Sequence, residues 1–147
     1  FLDLAYKNGG SEDSAVLTNL GIVASWNGAL STAQDLFDRA NTNSINQGIL
    51  DIRQGNYDSA VKLLRESTYN AVLANILNGD YNMTCNENTA ECYYLNAIAG
   101  ARLSNESLLF TNLEKAINLS SSYKSEALND LEFENYKSNE QFLSLTK

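Results

Sequence analysis

The chain has 147 residues, of which 44% are apolar, which suits a single domain with a substantial core. A net charge of −8 and a pI near 4.4 repel phosphate backbones and anionic lipid, which argues against nucleic-acid or membrane-surface partners. No apolar run reaches the roughly 18 residues of a membrane-spanning helix, and the absence of His removes the commonest general base and metal ligand.

The first stretch, FLDLAYKNGG (1–10), reads as the tail of a helix closing on Gly9-Gly10, the stump of an upstream repeat or a linker. A start at Phe1, without a basic n-region, suggests a processed chain or an excised fragment.

Four windows then align without gaps: TNLGIVASWNGAL (18–30), INQGILDIRQGNY (45–57), YNAVLANILNGDY (69–81) and LNAIAGARLSNES (95–107). One column holds Asn19, Asn46, Asn70 and Asn96. Three residues on, the column is apolar: Ile22, Ile49, Leu73, Ala99. Seven residues on it holds Trp26, Arg53, Leu77 and Leu103. Each window ends on Gly28, Gly55, Gly79 or, in the fourth, Asn105, the residue types that best tolerate the left-handed backbone closing a helix. Gly21 and Gly48 sit mid-helix, where glycine costs about 1 kcal/mol against Ala, so close approach of a partner helix is the expected reason.

A second amphipathic helix follows three windows, at 30–40, 57–67 and 106–117. Their stripes are Leu30, Ala33, Phe37, Ala40; then Tyr57, Ala60, Leu64, Ser67; then Leu109, Leu113, Ala116. After the third window no such helix is visible. Residues 82–88 read as a loop in its place, with Thr89 capping the next helix. Cys85 and Cys92 lie in and just after this loop. They are either a disulfide that ties it down, contributing roughly 2–3 kcal/mol, or two unrelated thiols. Two Cys and no His cannot complete a zinc shell without carboxylates, so no metal is expected, and no cofactor is expected either. The last stretch, 122–147, carries apolar residues from Tyr123 to Leu145 and reads as two or three short capping helices.

The order Leu20, Gly21, Gly28, Leu30, Ala33, Phe37, Ala40 resembles the tetratricopeptide repeat signature. Gly48, Gly55, Tyr57, Ala60 and Leu64 follow it, and Ala97, Leu113 and Ala116 follow it more loosely. The resemblance covers about residues 14–121, without the family's Pro and at a spacing shorter than its usual 34 residues. The stretch from TYNAVLANILNGDY onward is also similar to tetratricopeptide segments of Bacteroidota cell-envelope proteins. The resemblance implies an all-α fold, a right-handed α-α superhelix of helix pairs over 11–121 with a C-terminal helical cap over 122–147. It further implies a groove lined by first helices that binds a protein or an extended peptide.

On that groove the expected binding residues are Asn19, Ile22, Trp26, Asn46, Ile49, Arg53, Tyr69, Asn70, Leu73 and Asn96. A row of Asn side chains offers donors and acceptors to a peptide backbone; the same row can instead bond neighbouring helices and fix repeat geometry. The sparse Arg53 and Arg102 argue against a terminal-carboxylate clamp. Catalytic residues are not expected, since Ser and Cys have no His to activate them and the acid pairs Glu132/Glu134 and Asp35/Asp38 fall on helix surfaces. Three Asn-X-Ser/Thr matches, at Asn82, Asn105 and Asn118, are what chance gives in so Asn- and Ser-rich a chain.

Two other readings remain open. One is a structural spacer or oligomerisation module of a larger parent chain, with that chain's other domains as partners. The other is a carbohydrate-binding protein of the outer membrane using Trp26, Tyr69, Tyr93 and Tyr94. The expected location is the cell envelope, periplasmic or associated with the outer membrane, with the cytoplasm as the alternative.

Overall fold

Each repeat is built around one turn. Gly28 (φ +80°), Gly55 (+80°) and Gly79 (+86°) take the left-handed conformation. The next residue donates back five positions, Ala29 N–H to Ala24 O at 2.9 Å, Asn56 to Asp51 at 2.8 Å and Asp80 to Asn75 at 2.8 Å. These bonds satisfy carbonyls that a helix end otherwise leaves unpaired. The fourth turn has the same bonding, Asn105 N–H to Gly100 O at 2.8 Å, but its left-handed residue is Ser104 (φ +55°). Asn105 is extended instead, and its side chain caps the following helix by accepting from Leu108 N–H at 3.0 Å. The gapless alignment is therefore corrected by one residue in its fourth copy.

The structure, a computed structural model, describes residues 2–41, 45–66 and 68–147; Phe1 of the expected stump and Ser67 of the second stripe lie outside the described residues. Among the described residues the secondary structure is entirely helical. The α-helices are α1 Leu2–Lys7, α2 Ser14–Trp26, α3 Leu30–Ala40, α4 Ile45–Gln54, α5 Tyr57–Leu63, α6 Tyr69–Leu77, α7 Ala90–Arg102, α8 Glu106–Leu119, α9 Ser122–Asn129 and α10 Glu140–Thr146, with 3-10 turns at Gly10–Glu12 and Leu131–Tyr136.

Two units divide the chain, residues 1–65 and 66–147. The boundary falls inside the expected 11–121 repeat region, and the expected cap shares a unit with α6–α8. In the first unit α2–α3 and α4–α5 are antiparallel hairpins, α3 packs on α4, and α1 packs on α2. α3 spans the expected 30–40, whereas α5 stops at Leu63 and Leu64 is its cap. The mid-helix glycines admit the facing helix as expected. A Cβ on Gly21 would lie 2.5 Å from the Phe37 ring, and one on Gly48 2.6 Å from Leu64 Cγ. Ala33, Phe37 and Leu50 form one buried cluster, and Leu17, Leu36 and Ala40 another.

In the second unit α7 and α8 form the closest hairpin, and α6 packs on α7. No second helix follows α6, as expected, and Thr89 caps α7 by accepting from Cys92 N–H at 3.2 Å. Cys85 and Cys92 are joined by a disulfide across a Cα separation of 5.4 Å. The C-terminal segments close the hairpin. Ala127, Phe133 and Phe142 are fully buried against Leu109, Phe110 and Leu113, whereas Leu131, one of the apolar residues of this stretch, is 81% exposed.

Candidate functional site

The corrected register places the functional columns. Six residues before each left-handed residue stand Ile22, Ile49, Leu73 and Ile98, and two before stand Trp26, Arg53, Leu77 and Arg102. Positions four apart lie on one helical face. Ala99 and Leu103, expected in these columns, give way to Ile98 and Arg102.

In the first unit these columns line a groove of about 300 Å³. α2 contributes Ile22, Ser25 and Trp26, α4 contributes Asn46, Ile49 and Arg53, and Phe37 of α3 closes the floor. Five of the expected site residues therefore meet here: Ile22, Trp26, Asn46, Ile49 and Arg53. Trp26 is 77% exposed, a large apolar ring held at the rim. Arg53 Nη1 donates to Oγ of the buried Ser25 at 3.1 Å, which anchors the guanidinium across the groove. Ser25 escaped sequence analysis because no column singled it out. Asn46 is half-buried and its side chain makes no hydrogen bond among the described residues, whereas Asn19 is exposed and outside the lining.

The second unit has a groove of about 260 Å³ from the same columns. Leu73, Leu77 and Tyr81 line one side, Leu95, Ile98 and Arg102 the other, and Glu132 of the 3-10 turn reaches in. Both carboxylate oxygens of Glu132 accept from Arg102. The same guanidinium donates to the Tyr81 hydroxyl at 3.3 Å and lies 5.6 Å from that ring's centre. The hydrogen bond to Glu132 holds the Arg102 pKa above its ordinary value. The turn is fastened along α7 at further points. Tyr94 donates to Asp130 at 2.9 Å and Tyr136 to Ala101 O at 3.4 Å. Burial, and then the bond to Asp130, raise the Tyr94 pKa. Glu132 as a groove residue was not legible, because it lies 30 positions from Arg102 in sequence.

The Asn column divides. Asn96 leaves it in the corrected register and falls in the next column, with Gln47. Both residues of that column bond to the element that precedes their helix. Asn96 is buried, accepts from Cys85 N–H at 2.7 Å and donates to Cys85 O at 2.9 Å. Gln47 exchanges bonds with Gln34 of α3 at 2.9 and 3.2 Å and donates to the buried Asp51 at 2.9 Å. Asn96 is therefore not a groove donor: its side chain is buried, and its amide oxygen and nitrogen each bond the Cys85 backbone, the internal bonding that the Asn row allowed as its alternative. Asn70 is half-buried outside the second groove's lining, Tyr69 packs on the cluster of Val72, Cys85 and Cys92, and Leu73 lines the groove.

The candidate sugar-binding aromatics do not form a common exposed face within the second unit. Tyr94 stacks on Tyr123 and Phe133 in the core, while Tyr93 bonds Asn88 at 2.8 Å beneath Lys115. Cys85, Glu87 and Cys92 bring ligand-type atoms within 4.8 Å, yet the two sulfurs are bonded to each other and neither is a thiolate ligand. The acid pairs separate into ion pairs and hydrogen bonds, with Glu134 on Lys137 at 2.6 Å and Asp35 on Arg39 at 3.7 Å. No family model, curated protein or solved structure matches the chain.

Proposed function

We propose that the chain is a tetratricopeptide-like binding module without catalysis of its own, and that its α2–α4 groove holds an extended segment of a protein partner. The observation that carries this is the convergence of Ile22, Trp26, Asn46, Ile49 and Arg53 on one groove. It has an apolar floor, an exposed aromatic at its rim and two polar side chains able to orient a ligand. Such a mix is typical of peptide sites, where a buried aromatic or Arg anchor carries most of the affinity. A cell-envelope location belongs to the same proposal and is supported by the Cys85–Cys92 disulfide, since disulfides persist in oxidising compartments.

The spacer reading draws on a different observation, the internal bonding of Asn96 and Gln47. The two are compatible if one column locks repeats and its neighbour meets ligand. The test is binding of the whole chain to an unbiased peptide array beside Trp26→Ala. The expected result is selective binding that Trp26→Ala weakens by about tenfold or more, with an unchanged melting temperature because this ring is exposed. Absence of any binding, or indifference to Trp26→Ala, would sink the proposal.

A further inference from the structure

We infer that the α2–α4 groove recognises an internal acidic side chain of its partner through Arg53, and that Glu132 on Arg102 is the chain's own copy of that contact. The inference rests on the binding reading above and adds the chemistry of the ligand.

Arg53 and Arg102 hold the same place, two residues before the left-handed Gly55 and Ser104. Each has an isoleucine four residues earlier on the same face, Ile49 and Ile98. Each guanidinium donates to a hydroxyl, Arg102 to that of Tyr81 and Arg53 to that of Ser25, and Arg102 has in addition the Tyr81 ring and a carboxylate. That carboxylate is one that the 3-10 turn that begins Leu-Glu-Phe inserts into the groove. Arg53 is met by a hydroxyl, and among the described residues no carboxylate pairs with it or lines its groove. A guanidinium carries five donors in a fixed fork and keeps its charge at every working pH. One serine oxygen leaves most of that fork open, and a carboxylate is the group whose geometry completes it.

The charge of the first unit permits such a ligand. Residues 1–65 hold seven acidic and five basic side chains, so the unit that carries Arg53 is close to neutral, against eleven and five in 66–147. Ile22, Ile49 and Trp26 supply apolar contact for the neighbours of the acidic residue, as Leu73 and Ile98 do around Glu132. Because Glu132 is an internal residue, its contact needs no chain terminus. The occupant is a short segment with an Asp or Glu between apolar residues.

The test is an array of octapeptides, acetylated and amidated at their ends, in which every Glu or Asp peptide is paired with its Gln or Asn twin. It is probed with the whole chain and with Arg53→Gln, Arg53→Lys and Arg102→Gln. Acidic members are expected to bind about tenfold or more tightly than their amide twins. Arg53→Gln should erase that preference, Arg53→Lys keep part of it, and Arg102→Gln leave it intact. Comparison of twins on the unaltered chain needs no variant to fold. Equal binding of twins, still lost in Trp26→Ala, overturns this inference and leaves the binding reading standing. No binding by any peptide overturns both. Binding that appears only with free C-terminal carboxylates overturns the internal acid. Arg53-dependent self-association in sedimentation, in place of peptide binding, makes the occupant a second copy and overturns the peptide ligand.

Discussion

The first groove and the second are built from the same two columns of their repeats, yet one is open at its arginine and the other is closed. In the first unit a second helix, the short α5, follows Arg53, and among the described residues no carboxylate lines the groove. In the second unit α6 has no partner helix of its own, and the C-terminal turn lies along α7 and delivers Glu132. The difference teaches how a terminal cap can do two things at once. Phe133 faces the core and completes it, while Glu132, its neighbour, faces the groove and neutralises its cation.

The comparison is broken most severely at Phe133. It is fully buried among Tyr94 and Phe142, so Phe133→Ala should cost about 3–5 kcal/mol in denaturant unfolding. If the turn detaches, the second groove becomes like the first, and binding of acidic peptides at Arg102 should appear under conditions where the variant remains folded.

Asn96→Ala leaves the buried N–H and C=O of Cys85 without partners and should cost about 2–3 kcal/mol. Asn46→Ala, at a half-buried residue with no such bonds, should shift stability by about 0.5 kcal/mol or less. Paired melts of the two variants separate the locking column from the groove column. Equal losses would contradict the corrected register.

Gly21→Ala and Gly48→Ala probe the close helix packing of the first unit. The new methyl at Gly21 meets the Phe37 ring and should cost about 1–3 kcal/mol. At Gly48 it meets Cγ and both methyls of the buried Leu64, so a loss in the same range is expected. Chemical denaturation with a probe at Trp26 reads the first change.

The mildest effect concerns pH. Folding raises the Tyr94 pKa, chiefly by burial and then through Asp130. A raised pKa contributes stability that is fully present below the unfolded tyrosine value of about 10 and is lost as pH rises beyond it. The second unit should therefore weaken above about pH 10, and Tyr94→Phe should flatten that slope while costing about 1 kcal/mol near neutrality for the bond to Asp130. A slope unchanged by Tyr94→Phe would place the alkaline sensitivity elsewhere.

Local chemistry made much of this molecule legible without coordinates. Turn glycines at Gly28, Gly55 and Gly79, amphipathic stripes such as Ala33–Phe37–Ala40, and the cap at Thr89 specify helix ends and hairpins through contacts a few residues long. Spacing placed Ile22 with Trp26, and Asn46 with Ile49 and Arg53, on one face of each helix, while a groove shared by the two faces was implied by the resemblance to the tetratricopeptide repeat. The fourth copy misled because Asn105 resembles the left-handed glycine by residue type, while the actual left-handed residue is Ser104, a choice made by the bonding of the turn and the cap of α8. That one-position slip carried Asn96 into the groove and Leu103 into the place of Arg102. The Asn96–Cys85 clasp and the Arg102–Glu132 pair lay beyond sequence for a plainer reason. They join residues 11 and 30 positions apart, and no local propensity says which of many acids or amides will meet which partner. Only packing the cap on α7 and α8 decides that, because burying Phe133 sets where Glu132 must point.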